Sequence, residues 1–176
     1  MTEERVSIFI DGSNFYHSTK KLNIVNKLDF DKLIKELVRD RKLVSVFYYN
    51  ASLDLGANPK IYWEQQKFFN ILRKIPKFKV VLCKLRKVKR DGVIEYEVKG
   101  DDTHLVSDFV GEAYENSYDT AIIVSGDEDF VSPIKRVKKL GKRIENAYFS
   151  SSSSYNLRKA CDYSIHLNKI INKIIN

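Results

Sequence analysis

Three acidic motifs hold most of the chemistry this chain can offer. Asp11 ends an apolar run in Ile8-Phe-Ile-Asp-Gly-Ser-Asn14. Asp102 closes Lys99-Gly-Asp-Asp102 and opens a helical pattern. Asp127 and Asp129 lie in Ser125-Gly-Asp-Glu-Asp-Phe130, again just past an apolar run. Carboxylates brought together repel and raise one another's pKa, and a hard cation is the usual remedy. Mg²⁺ and Mn²⁺ take oxygen ligands and keep several waters, so an all-carboxylate set suits them better than zinc. His17, His104 and His166 have no metal-ligand spacing and read as structural or surface residues, with His104 of interest only for its place beside Asp102. Two cysteines, Cys83 and Cys161, cannot build a four-thiolate zinc site or a disulfide framework, and they suit a reducing compartment.

The elements that must position these acids alternate between strand and helix. Strands are expected at Val6–Asp11, Leu43–Tyr49, Phe78–Leu85, Thr120–Val124 and Arg143–Tyr148, with a final edge strand at Tyr163–Leu167. The first ends at a turn, Gly12-Ser-Asn14, before a helix. Further helices are expected at Asp29–Arg39, Ile61–Ile75, Asp102–Asn116, Phe130–Leu140 and Asn156–Cys161, and Gly141 is placed to end the fifth of these six. Asp91-Gly92 between two alternating segments predicts a hairpin inserted over Arg86–Val98. Strands separated by helices imply a three-layer α/β domain with a mostly parallel sheet of about five strands. Residues 1–167 read as that domain and 168–176 as an amphipathic tail.

In such a sheet, sites form beyond the carboxyl ends of the strands, which is where Asp11 and Asp127 fall. Leu105, Val106, Phe109, Val110 and Ala113 mark the buried face of the helix that Asp102 opens. At 100° per residue, Asp102 projects near the middle of that face, as a cap or as a cation ligand. Asp108 lies well over 90° from its centre by the same arithmetic. Pro133 requires its helix to start no earlier than about Asp129, so Asp127 and Asp129 occupy the turn and the first helical or capping position.

The chain has 176 residues and a formal net charge of +8. Hydrophobic residues are 43% and aromatics 12%, which excludes an intrinsically disordered chain. No apolar run approaches the length of a membrane span, and the N-terminus lacks a signal-peptide pattern, so a cytoplasmic protein is expected. The positive charge is uneven. Lys84, Arg86, Lys87, Lys89 and Arg90 enter the hairpin; Lys135, Arg136, Lys138, Lys139, Lys142 and Arg143 follow the acidic turn. Both stretches suit phosphate contacts, and both suit a solvated face. Tyr48, Tyr49, Tyr62, Trp63 and Tyr96 are candidates for base stacking, against the commoner role of aromatics as core.

Taken in this order, the three motifs, with Leu105, Asp108 and Leu140-Gly-Lys142, resemble the NYN family, the LabA-like branch of the PIN-domain superfamily of metal-dependent ribonucleases. The Ser-rich loop followed by Leu157-Arg158 and Cys161-Asp162 adds to the resemblance, which spans residues 5 to 167. It implies a PIN-like fold and a metal site at Asp11, Asp102, Asp127 and Asp129, with Asp108 as a further acid. It places Asn14 and Ser125 beside that site, as contacts to substrate. Lys99, Arg86, Lys87, Lys89 and Arg90 are the expected contacts to substrate. Asp101 departs from the family pattern, which has an apolar residue there, and stands open between an added ligand and a surface charge.

The expected activity is Mg²⁺- or Mn²⁺-dependent hydrolysis of RNA, with RNA favoured over DNA by the resemblance alone. This requires the carboxylates of Asp11, Asp102 and Asp127 to converge within metal-bridging reach. A non-catalytic nucleic-acid-binding or regulatory module is the main alternative, since fold does not fix function. A phosphatase or nucleotide hydrolase and a toxin are further readings. The isoleucine pairs 170–171 and 174–175 would dock on the domain itself or on a second copy in a homodimer.

Overall fold

The computed structural model describes residues 3–90 and 93–176; side chains at 86–87, 90 and 93–99 lie outside the description. Strands β1 (Arg5–Asp11), β2 (Lys42–Ala51), β3 (Phe78–Arg90), β4 (Val93–Lys99), β5 (Thr120–Val124), β6 (Arg143–Tyr148) and β7 (Tyr163–His166) form one sheet. Its order is β4-β3-β2-β1-β5-β6-β7, and β4 alone runs antiparallel to its neighbour. The expected three-layer, mostly parallel α/β architecture is therefore present. The sheet has seven strands among the described residues because the returning arm of the hairpin and the segment after Cys161 both join it.

The helices are α1 (Gly12–Lys21), α2 (Phe30–Val38), α3 (Pro59–Leu72), α4 (Asp101–Tyr114), α5 (Val131–Lys138), α6 (Tyr155–Ala160) and α7 (Ile171–Ile174). Strand alternation divides the core between two faces. Ile8 and Ile10 of β1 pack with Phe15, Leu33, Phe69 and Ile174 on one side of the sheet. Phe9, between them, stacks on Phe47 and packs with Phe109, Ile134 and Leu157 on the other. Ile174 is fully buried, and Ile170, Ile171 and Ile175 pack partly buried beside it. Of the two dockings open to the tail, these isoleucines take the one on their own domain.

Three local departures from expectation bear on the site. There is no separate turn at Gly12-Ser-Asn14: α1 starts at Gly12, because the Asp11 side chain caps it by accepting from the Asn14 backbone N–H. A Cβ at position 12 would overlap the Tyr49 backbone oxygen and the Tyr48 ring, so only glycine allows that immediate start. Strand β3 does not stop at Leu85. Its pairing with β2 ends at Ala51–Cys83, and residues 84–90 continue beyond the parallel sheet, paired only with β4. The tip of this hairpin, Asp91-Gly92, lies outside the described residues. Lastly, the expected helix at Phe130–Leu140 begins as a 3-10 turn at Glu128–Phe130 and continues as α5.

Candidate functional site

The strand order reverses between β1 and β5, the position at which open α/β sheets form a crevice. Asp11 ends β1 on one side of it, and Ser125, Gly126 and Asp127 follow β5 on the other. The crevice there is lined by Asp11, Ser13, Asn14, His17, Ser18, Lys21, Asp101, Asp102, Asp127 and Ser152.

Hydrogen bonds tie its two walls together. Asp11 is 6% exposed, and its second carboxylate oxygen accepts a 2.8 Å bond from the Ser125 hydroxyl. The same hydroxyl accepts from the Asp127 backbone N–H at 3.1 Å. Asn14 Oδ1 accepts from the Gly126 N–H at 3.2 Å. Ser125 and Asn14, expected as substrate contacts, thus hold the two acidic turns in register. A Cβ on Gly126 would overlap the backbone oxygen of Ser152, so the Ser-rich loop closes against this turn only because position 126 is glycine. Ser152 also accepts from the Ser18 hydroxyl at 2.9 Å. Asn146, fully buried on β6, donates to the Ile123 and Ser125 carbonyls and secures the end of β5.

Asp102 enters from α4. Its helical phase matches that of Leu105 and Phe109, but Asp102 is largely exposed and lines the crevice. It does not cap the helix. Gly100, at φ 96°, takes the N-cap position and leaves no side-chain cap bond. Asp101, the departure from the family pattern, lines the same crevice. Asp127 does act as a cap, accepting from the Asp129 N–H at 2.9 Å.

Electrostatics couples the acids. Burial pushes the Asp11 carboxyl above its usual range, and the charges of Asp101 and Asp127 add to this. The bonds from Asn14 and Ser125 oppose it. Asp102 is pushed up to about 6, first by partial desolvation in the crevice and then by Asp101, Asp11, Asp127 and Asp129. The field reaches β3, where burial followed by the charges of Asp101, Asp102 and Asp108 raises the Cys83 thiol to about 11.

The coupling stops short of the expected convergence. Among the described residues, no three Asp, Glu, His or Cys side chains are arranged to hold a metal ion. Like-charge repulsion favours side-chain rotamers that keep such groups apart. The donor set itself fits a hard divalent cation: four carboxylates line one crevice, and their repulsion is what such a cation relieves.

The remaining candidates lie elsewhere. Asp129 is exposed and borders a neighbouring concavity along α5. Asp108 accepts a 2.9 Å bond from the Tyr49 hydroxyl, away from the crevice lining, in line with its helical phase. Tyr48 and Tyr49 are core residues, 2% and 1% exposed, and offer no stacking face; Trp63 is exposed. Lys84 and Lys89 are exposed on the hairpin arm. The side chains of Arg86, Lys87, Arg90, Tyr96 and Lys99 lie outside the described residues. His17, Lys21 and Ser152 were not among the expected site residues, and Asp101 was open between a ligand and a surface charge. The signal for His17 and Lys21 was available, since Ser13, His17 and Lys21 repeat every four residues on one face of a helix.

A three-layer α/β domain with an acid-lined crevice at its topological switch point is the class that fold and site define. The NYN domain profile matches residues 5–168. The chain belongs to the NYN domain family, whose members are PIN-like, nuclease-type domains that bind nucleic acid. Among solved structures, a Vibrio parahaemolyticus protein of unknown function is 24% identical, with a TM-score of 0.75 over 99% of this chain and 97% of that one. That likeness shows the fold alone. The nicotinic acid mononucleotide adenylyltransferase of Plasmodium falciparum is 10% identical over 93% of this chain and 73% of that one; its TM-score of 0.36 carries no argument. No curated protein matches significantly. Among the described residues, no helix is long and apolar enough to cross a membrane.

Proposed function

We propose that this protein is a metal-dependent ribonuclease that hydrolyses phosphodiester bonds of single-stranded RNA. The observation that carries this is the coupled set of carboxylates, Asp11, Asp101, Asp102 and Asp127, in one crevice at the strand-order reversal of a basic protein. A surface built only to bind phosphate gains nothing from clustered negative charge at its centre.

Asp11, Asp102 and Asp127 would hold Mg²⁺ or Mn²⁺, with Asp101 beside them and Asp129 and Asp108 as outlying acids. The cation, when bound, lowers the pKa of a coordinated water and stabilises charge developing on the phosphate. The chain's own residues have separate tasks. Ser125 and the Asn14 N–H fix the Asp11 carboxylate through both of its oxygens. Asn14 Oδ1 holds the Gly126 turn, and with it Asp127. Asp102, raised to about 6, gives up its proton near neutral pH and joins the ligand set there. Lys21, on the crevice wall, and Lys84 and Lys89, on the hairpin arm, supply positive charge for the backbone. Hairpin residues Arg86, Lys87, Arg90 and Lys99 belong to the same proposal by sequence position.

One observation favours the non-catalytic reading: Asp11 and Asp127 also serve as helix caps, which gives two of the acids a structural reason to be present. Cleavage of a labelled single-stranded RNA in Mn²⁺ separates the readings. The nuclease cleaves, and Asp11→Asn abolishes cleavage while preserving the circular dichroism spectrum. A binding module retains salt-dependent RNA affinity and cuts nothing.

A further inference from the structure

The basic stretch after the acidic turn is not one uniform face. Lys138 pairs with Asp162 at 2.7 Å and donates to the Ala160 carbonyl. Lys142 donates to Asn116, and Arg143 pairs with the buried Glu145. These three cations serve the fold. Lys135, Arg136 and Lys139 have no ion-pair partner among the described residues and are exposed. With Ser132 they occupy one stripe of α5 and its C-cap, at spacings of three and four residues, opposite the buried Ile134 and Val137. Together with Glu128, Asp129 and Val131 they line a concavity of about 640 Å³.

The dipole at the C-terminal end of α5 favours cations in its last turn, where Lys135, Arg136 and Lys138 all lie. Repulsion between like charges four residues apart, as in Lys135 and Lys139, opposes that gain, so the dipole alone does not account for a stripe that continues to the exposed Lys139 at the C-cap. The concavity is also polarised: its cations lie along α5, and its other end reaches Asp129, which is electrostatically coupled to Asp102 in the crevice. Lys135 and Lys139 are about 6 Å apart along the helix axis, a separation comparable to the phosphate repeat of an extended single strand.

We infer that this concavity is the path by which one arm of a single-stranded nucleic acid leaves the acidic crevice, its backbone phosphates resting on Lys135, Arg136 and Lys139. The inference rests on the nucleic-acid reading of the crevice and specifies a direction for the strand. From the crevice, the chain runs along α5, on the opposite flank from the hairpin.

The test is binding of a fluorescent single-stranded oligouridylate in EDTA, followed by anisotropy over a salt series. Each phosphate contact to a single strand contributes about 0.7 to the slope of log K against log salt. The triple variant Lys135→Gln, Arg136→Gln, Lys139→Gln is expected to lose about 2 from that slope and at least tenfold in low-salt affinity. Lys142→Gln, which removes an equally basic but committed side chain, is expected to leave the slope unchanged, well short of the loss of about 0.7 that one phosphate contact would give. An unchanged slope in the triple variant, or a loss of about 0.7 or more from Lys142→Gln, overturns the inference. Cleavage in Mn²⁺ is scored separately. A wild type that cuts but shows no dependence on α5 refutes this path and leaves the nuclease standing. A wild type that binds through α5 but never cuts refutes the nuclease and leaves this path standing.

Discussion

Replacing Asp102 with Asn is expected to stabilise the protein near neutral pH, with the gain disappearing in acid. Partial desolvation in the crevice first, and then the charges of Asp101, Asp11, Asp127 and Asp129, push the Asp102 carboxyl up from 3.8 to about 6. The folded protein therefore holds this proton more tightly than the unfolded chain. Linkage then makes this site's contribution to stability fall as pH rises from about 4 to about 6, and the full cost applies above that. A displacement of this size is worth about 3 kcal/mol in an enclosed site. Asp102 is exposed, so solvent screening brings the cost to about 1 kcal/mol. A negative charge in the first turn of α4 stabilises the helix by about 0.3 kcal/mol or more, and Asn forfeits it. The net gain is then about half a kcal/mol, or a rise in Tm of about 1–2 °C for a domain of this size. The assay is thermal unfolding in EDTA at about pH 7.5 and about pH 4, either side of the window set by linkage. Asp102→Asn should melt above wild type at the higher pH and together with it at the lower. Saturating Mn²⁺ should reverse the order at neutral pH, because a ligand of the folded state stabilises the variant that binds it better. A variant that melts lower in EDTA at neutral pH, or whose margin is independent of pH, refutes the electrostatic argument.

Gly126→Ala places a methyl group on the Ser152 backbone oxygen, so the Ser-rich loop must withdraw from the crevice. A loss of about 1–3 kcal/mol in urea unfolding is expected, with a larger proportional loss of cleavage than of RNA binding. Arg41→Met removes the paired bonds, at 2.9 and 3.1 Å, that Arg41 makes to Glu145, which is 4% exposed. Destabilisation of about 3 kcal/mol is expected, because among the described residues Arg143 alone is left to offset the buried charge; chemical denaturation should show much of that loss recovered when Glu145→Met is added.

Much of the architecture could be read from patterning, because strand and helix periods alternate with few conflicts. The exceptions have local causes. The helical start at Gly12 depends on Tyr48 and Tyr49, whose contacts with position 12 come from a distant strand. The continuation of β3 past Leu85 depends on β4 as a partner, and a run such as Lys84-Leu-Arg-Lys-Val88 does not disclose where pairing with β2 ends. The tail's docking on α2 was invisible because amphipathicity identifies an apolar face and not what covers it.

The site was legible to the same degree. Asp11, Asp102 and Asp127 were identified as strand-end and helix-start acids, and the structure brings them to one crevice. Helical phase placed Asp102 on the stripe of Leu105 and Phe109, but could not show that this turn of the stripe opens onto the crevice. Ser125 and Asn14 read as substrate contacts because their partners, Asp11 and Gly126, lie more than a hundred residues away in the chain. The division of the second basic stretch into paired and free cations likewise needed tertiary partners, Asp162, Asn116 and Glu145.

The decisive measurement is cleavage of a labelled single-stranded RNA by the purified protein, with and without Mg²⁺ or Mn²⁺, beside Asp11→Asn and Asp127→Asn of verified fold. A metal-dependent nuclease site in the crevice gives cleavage by wild type that requires the cation, is stopped by EDTA and is lost in both variants. Metal-independent cleavage, or full activity in both variants, overturns that reading.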